Sequence, residues 1–246
     1  MDFLTLTNSY YSEWLGQENI LNEDFSGVRY VYSEERNRVQ TGYPKAFDLY
    51  VFCQQNRAVI SYGDKMLDKI EICKAKIKSS IPICDLKEIL FQIFGTAAGH
   101  NVKYVFGKPI SKEFVSKPLV MTQYEEYLNF FKKNNPECRN TDWLKDYFAD
   151  MVDRNLCCGY FINGELVSCT DVPDMPYMAQ TVQEIGVNTL SGFRGKGYAA
   201  DVCTSCIKSI IQSKKCPLWS TKAENIASQK LAEKIGFIKL ADVLVL

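Results

Sequence analysis

Histidine is almost missing from this chain: His100 is the single one in 246 residues. A zinc site needs several nitrogen or sulfur ligands held close together. There are ten cysteines, and Cys203 and Cys206 form a C-x-x-C, but both fall on the apolar stripe of an expected helix. No second C-x-x-C completes a ligand set, and His100 is far away in sequence, so no metal is expected. The cysteines read instead as small buried hydrophobes of a reducing compartment. Cys157 and Cys158, adjacent on an expected strand, point to opposite faces. His100 follows Ala97, Ala98 and Gly99 and reads as a loop or helix-end residue. An excess of either charge is missing too, because 29 Lys and Arg balance 29 Asp and Glu. Without a basic field, nucleic acid is not an expected partner. No apolar run has the length of a membrane span. The first basic residue is Arg29, after an acidic Asp2. The charged start of a secretory signal is therefore absent, and a cytoplasmic location is expected. Internal repeats and low-complexity tracts are also missing.

What is present suits a globular α/β chain. Hydrophobic residues make up 46% of the sequence, ample for a core, and the length fits one large domain or two small ones. Phe3 to Leu21 reads as a helix-bearing segment with Asn8 as a cap. Gly27–Ser33, Phe47–Cys53, Ala58–Tyr62 and Val102–Phe106 read as strands, and Lys65–Lys76 and Asp85–Phe94 as helices. Gly107 to Pro109 ends this half, and the polar stretch Pro109 to Pro118 is the expected boundary. The division is 1–115, an N-terminal α/β unit, and 116–246. In the second part, Tyr124–Lys133 and Thr141–Arg154 are expected helices. The aromatic residues of the first, from Tyr124 to Phe131, sit at helical spacing and read as core. Cys157–Ile162 and Glu165–Thr170 are expected strands joined by Asn163-Gly164, a hairpin turn.

The run Gln183 to Ala200, Q-E-I-G-V-N-T-L-S-G-F-R-G-K-G-Y-A-A, carries the most chemistry. Glu184 to Asn188 is a strand, Arg194 to Gly197 a turn, and from Ala199 apolar residues recur at helical spacing. A glycine turn opening a helix gathers free N–H groups at the positive end of the helix dipole, a site for phosphate. A Walker loop is excluded because Lys196 is followed by Gly197. A dinucleotide fold expects an acidic residue about 20 positions on, and Val202 to Ala223 contains none. There remains R-x-x-G-x-A at Arg194, Gly197 and Ala199. Downstream, the expected strand Pro217–Thr221 precedes N-x-x-S-x-x-L-x-E-K-x-G-F, from Asn225 to Phe237. Asn225 suits a helix cap and Gly236 a helix stop.

These two signatures, in this order, resemble those of the GNAT superfamily of N-acetyltransferases. The stretch Cys157 to Leu240 is similar to a bacterial family that includes zwittermicin-type self-resistance acetyltransferases. The resemblance implies a GNAT fold of the α/β (α+β) class, with a mixed central sheet splayed at the acetyl-CoA strand and an added N-terminal α/β unit. It implies acetyl-CoA as cofactor. The pantetheine arm would lie along Val187, Asn188 and Thr189, as an added strand does. The pyrophosphate would sit on Arg194, Gly195, Lys196, Gly197, Tyr198 and Ala199, with Asn225 and Ser228 flanking the thioester. Gly186 suits either a close backbone approach, with an N–H toward the oxyanion, or simple packing relief.

An acceptor amine must lose a proton. Glu184, just before the splay, is the expected base, with Asp171 and Asp174 as alternatives and a structural ion pair as the competing role for Glu184. The family often places a tyrosine as general acid where this chain has Ala232. Tyr198, Ser220 and Ser228 are the candidates to replace it. The expected activity is acetyl transfer to a primary amine of a small molecule, such as an antibiotic or metabolite. A silent CoA-binding sensor and a protein or peptide acetyltransferase are the alternatives. The sequence specifies no oligomeric state.

Overall fold

The computed structural model describes residues 1–40, 43–79, 82–107 and 113–246. In chain order the elements are α1 (Phe3–Leu15), β1 (Gly27–Tyr32), β2 (Leu49–Gln54), β3 (Arg57–Tyr62), α2 (Leu67–Lys76), α3 (Ile83–Phe94) and β4 (Gly99–Phe106). There follow β5 (Lys117–Pro118), α4 (Tyr124–Asn134), α5 (Leu144–Asp153), β6 (Cys158–Ile162), β7 (Glu165–Asp171), β8 (Val182–Glu184) and β9 (Gly186–Thr189). The last are α6 (Tyr198–Gln212), β10 (Cys216–Lys222), α7 (Ile226–Lys234) and β11 (Phe237–Val245).

Two sheets result. The main one is seven-stranded, ordered β1-β3-β2-β11-β4-β10-β8, and the second is four-stranded, ordered β5-β6-β7-β9. The expected mixed, splayed sheet is present: the run read as one strand divides into β8 and β9, which belong to different sheets. Strands from both sides of residue 115 share the main sheet, since β11 pairs antiparallel with β2 and with β4. The expected boundary at Pro109–Pro118 lies partly outside the described residues, and Lys117–Pro118 forms β5.

Alternation along the strands sorts side chains between layers. Tyr50, Phe52, Val59, Leu218 and Val243 pack under α1, around Tyr11, Trp14 and Leu15. Leu49, Val51, Ile60 and Leu244 point the other way, onto α2 and α3. Trp219, Phe237 and Tyr104 join α6, α7 and the helices α4 and α5 in a third core. The buried stripe of α6 includes Val202, Cys203, Cys206, Ile207 and Ile210. Full burial of each aliphatic side chain there stabilises by about 1.5–3 kcal/mol. Cys203 and Cys206 are thus core residues, and no cluster fit to hold a metal occurs among the described residues.

Several local expectations change. Asp2, not Asn8, caps α1, accepting from Thr5 N–H at 3.1 Å. The helix stops at Gly16 in the left-handed region (φ 76°). Asn8 is buried inside the helix and donates to the Leu21 carbonyl. His100 lies on β4, and its Nε2 meets Asp242 of β11 at 2.8 Å. The hairpin Asn163-Gly164 is as expected, with φ of 49° and 81°, the signs a two-residue turn requires. No helix among the described residues is long and apolar enough to cross a membrane.

Candidate functional site

The chain changes partner at Ile185. Up to Glu184 it runs parallel to β10, with Glu184 beside Leu218, and the Ile185 N–H donates to the Leu218 carbonyl at 3.2 Å. At Gly186 it pairs with Asp171 of β7 instead. A Cβ on Gly186 would lie 2.7 Å from the Asp171 carbonyl oxygen. Of its two expected roles, glycine here permits a close backbone approach, and the approach is to a neighbouring strand.

Where β9 and β10 part, a cleft of about 810 Å³ opens. One edge of β9 is held by β7, so the other is available to an extended ligand. Val187, Asn188 and Thr189 line the cleft from this strand. Arg194, Gly195, Gly197, Tyr198 and Ala199 line it from the turn, and Asn225 and Ser228 from the start of α7. Lys196 does not line it; its Nζ rests 5.2 Å over the Phe193 ring.

The turn is built for an anion. Gly195 and Gly197 have φ of 76° and 93°, and an added Cβ at either meets nothing within 4 Å. Among the described residues, no acceptor meets the N–H groups of Gly195, Lys196, Gly197, Tyr198, Ala199 or Ala200. Those groups cluster at the positive end of α6. The cradle therefore fits a pyrophosphate such as that of acetyl-CoA. Arg194 is oriented by its Nε donating to the Thr189 carbonyl at 3.1 Å. Asn225 caps α7 by accepting from the Ser228 N–H at 3.1 Å, as its residue type predicts.

Glu184 sits on the opposite side of the split. It shares a face with Leu218, whose side chain enters the core beneath α1. Lys103 and Ser220 are register partners on β4 and β10, and Lys103 Nζ donates to Ser220 Oγ at 2.7 Å. Burial pushes the Glu184 carboxyl above its ordinary value; the Lys103 charge and a hydrogen bond from Ser220 pull it partly back. Burial likewise lowers the Lys103 ammonium, against the opposing pull of Glu184. No ion pair within 4.0 Å involves Glu184 among the described residues. Ser220 lines the cleft while accepting from Lys103 behind it.

The other acids are placed differently. Asp171 accepts a short hydrogen bond from the Tyr147 hydroxyl and faces a separate cavity of about 140 Å³. Asp174 is exposed in the loop after β7. Ala232 is fully buried in the core shared by α6 and α7. Tyr198, Ser220 and Ser228 all line the cleft, and Ser228 Oγ lies 3.3 Å from Trp219 Nε1.

The family model described as GNAT acetyltransferase matches residues 87–242. The chain belongs to this family. Solved structures of similar fold include a GNAT-family acetyltransferase from Colwellia psychrerythraea, 21% identical, covering 60% of this chain and 55% of that one, with a TM-score of 0.50. The GNAT-family acetyltransferase from Streptococcus pneumoniae is 12% identical and covers 54% of this chain and 96% of that one (TM-score 0.44). The protein yncA from Salmonella typhimurium, in complex with acetyl-CoA, is 12% identical and covers 55% and 92% (TM-score 0.45). This chain thus spans just over half the length of the Colwellia protein. No curated protein matches the sequence.

In this GNAT chain, reading the sequence missed Lys103 and the aromatic residues around it. Tyr11 lies 5.4 Å from the Lys103 ammonium and 5.1 Å, centroid to centroid, from Tyr10. The one local signal was a lone lysine in the strand V-K-Y-V-F. Its partners on α1, β8 and β10 are distant in sequence.

Proposed function

We propose that this protein transfers an acetyl group from acetyl-CoA to a primary amine of a small molecule. The observation that carries the reading is the division of one strand at Ile185, with an anion cradle on one side and a half-buried carboxylate, Glu184, on the other. The likeness of Cys157–Leu240 to zwittermicin-type self-resistance enzymes supports a small acceptor. We further propose that residues 1–115 supply much of the acceptor side and that the reaction takes place in the cytoplasm.

Bound acetyl-CoA supplies the thioester whose acetyl carbon the amine attacks as the C–S bond breaks. The N–H groups of Gly195 to Ala200 would hold its pyrophosphate, and the free edge of β9 would align the arm and offer an N–H to the charge developing on the carbonyl oxygen. Glu184 takes the proton from the acceptor ammonium, directly or through one water. Its raised proton affinity suits it to that task near neutral pH. Lys103 limits that rise and is bound to Ser220, which borders the cleft. The proton that completes the thiol comes from the acceptor nitrogen or from Ser220, Ser228 or Tyr198. With a thiol pKa near ~8.5, departure as thiolate is tolerable without the usual tyrosine.

The test is calorimetry with acetyl-CoA, then thiol release with a library of primary amines. Micromolar binding and turnover with some amines support the reading. Binding without turnover favours a CoA sensor, and turnover confined to peptide N-termini or lysines favours protein acetylation. Failure to bind acetyl-CoA removes the reading altogether.

A further inference from the structure

Arg36 lies in the short turn Glu34–Asn37 between β1 and β2. It is 0% exposed. Among the described residues, its Nε, Nη1 and Nη2 have no hydrogen-bond partner. Other arginines of this half are satisfied: Arg57 donates to the Leu21 and Glu23 carbonyls and to Gln54, and Arg29 pairs with Glu23. The neighbouring carboxylate makes no hydrogen bond to Arg36, since Glu35 accepts instead from Gln40, Tyr177 and Arg38, and only its charge acts on the guanidinium. Its guanidinium lies over two aromatic faces, Tyr50 at 5.3 Å and Trp14 at 5.9 Å.

The magnitudes are unequal. Cation–π contacts contribute about 2 kcal/mol when desolvated. Burying a guanidinium with its donors unpaired costs several kcal/mol. A counter-anion that binds at this point would remove the imbalance. The surroundings are aromatic: Trp14 stacks on Tyr50 at 5.7 Å and meets Tyr43, Phe47 and Tyr177 edge-on or tilted within 6.0 Å. Tyr43 is 42% exposed and forms the outer wall.

The same wall reaches the base. Tyr11 and Trp14 are three residues apart on α1, about 4.5 Å along the axis. Tyr11 touches the Lys103 ammonium, and Trp14 touches Arg36. Tyr50 feels both the Glu184 and the Arg36 charges. Glu184 and Arg36 are therefore charged groups on one aromatic cluster, linked through Tyr11, Trp14 and Tyr50.

We propose that Arg36 receives a carboxylate of the acetyl acceptor, so that the substrate is an aminocarboxylate with its amine toward Glu184 and its acid end on the guanidinium. The planar fork of arginine matches a carboxylate bidentately. Tyr43 must swing aside to admit the ligand. This inference rests on the acetyl-transfer reading for the role of the amine, but not for the anion site.

The experiment uses matched probes on the full chain: phenylalanine and phenethylamine, 4-aminobutyrate and butylamine, lysine and cadaverine. Tryptophan fluorescence, reporting on Trp14, and thermal shift measure binding; thiol release measures turnover. We expect at least one aminocarboxylate to bind about tenfold or more tightly than its decarboxylated partner. Its kcat/KM should be higher by a similar factor. Arg36→Met should erase that preference, and Arg36→Lys should keep part of it. If no acid outperforms its amine partner in either assay, the inference is wrong; this comparison needs no mutant, so a misfolding variant does not rescue it. Equal binding of inorganic phosphate with no carboxylate preference also overturns it. If acetyl-CoA binds and amines turn over regardless of a carboxylate, the acetyl-transfer reading stands and the Arg36 role falls. If acetyl-CoA does not bind but carboxylates do so through Arg36, the anion site stands and the acetyl-transfer reading falls.

Discussion

The two faces of the main sheet offer different kinds of polar group. On the α6–α7 face the cleft is polar through backbone N–H groups, gathered by a turn in which Gly195 and Gly197 have positive φ. On the α1 face the polar groups are side chains: Glu184 and Lys103, half-buried, and Arg36, fully buried beside Trp14 and Tyr50. A backbone site is held by a few adjacent residues and tolerates varied side chains. A side-chain site draws single residues from distant strands and depends on each one. Substitutions should therefore affect the two faces in separable ways, one through cofactor affinity and the other through proton transfer and acceptor choice.

The largest effect is expected at the cradle. Gly197→Glu puts an anion beside the pyrophosphate position and strains a φ of 93°. Acetyl-CoA affinity should fall by at least about 100-fold, roughly 3 kcal/mol, while circular dichroism stays native. Unchanged calorimetric affinity in a folded variant would dissolve the contrast between the faces.

Glu184→Gln tests the other face. It should lower kcat by about 100-fold at pH 7 and leave acetyl-CoA affinity nearly constant. The wild-type rate should rise with pH along a limb displaced above the ordinary carboxylate value of 4.5, because burial raises this group and only its ionised form accepts the proton. The variant should lose that limb and recover as pH nears the acceptor amine's own pKa. Wild-type kcat from pH 6 to 9 would reduce Glu184 to a structural partner of Lys103 and direct attention to Asp171 and Asp174.

Much of the cleft was legible because its chemistry is local. Gly195, Gly197, Ala199, Asn225 and Ser228 fall in two short signatures, and a helix cap or a left-handed turn leaves its mark within four residues. The division of the strand just after Glu184 was expected from the resemblance, and the register of β8 on β10 and of β9 on β7 fixes it at Ile185. The α1 face was hidden for the opposite reason. Arg36 and Glu184 lie about 150 residues apart in the sequence, and burial alone makes Arg36 unusual. His100 was misread because its partner, Asp242, lies on the distant strand β11.

Smaller effects sharpen the picture within the cleft. Asn225→Ala should cost about 0.5–2 kcal/mol of stability through the lost cap. If Asn225 also touches the cofactor arm, the acetyl-CoA KM rises as well; a lowered melting temperature with constant KM leaves capping alone. Arg194→Ala should weaken acetyl-CoA binding by roughly 1–3 kcal/mol. Lys196→Ala should change it about twofold at most, because that ammonium stands over Phe193 outside the cleft lining and an exposed charge contributes little. Equal losses for the two cations would return Lys196 to the cradle.

The strand β11 has a bearing on how the chain is made. Its second half pairs with β2, Asp242 with Cys53 and Val245 with Tyr50, while its whole length lies against β4. During synthesis β2 and β3 emerge early, but the inner edge of β2 has no partner until residues 242–245 have left the ribosome. A hydrophobic edge containing Val51 and Phe52 is thus unprotected while about 190 further residues are made, a condition that invites wrong pairing. Closure of the sheet joins segments about 190 residues apart, and contacts of such separation form slowly. Yield of folded protein should accordingly depend on chaperone supply and on expression temperature more than native stability alone would indicate.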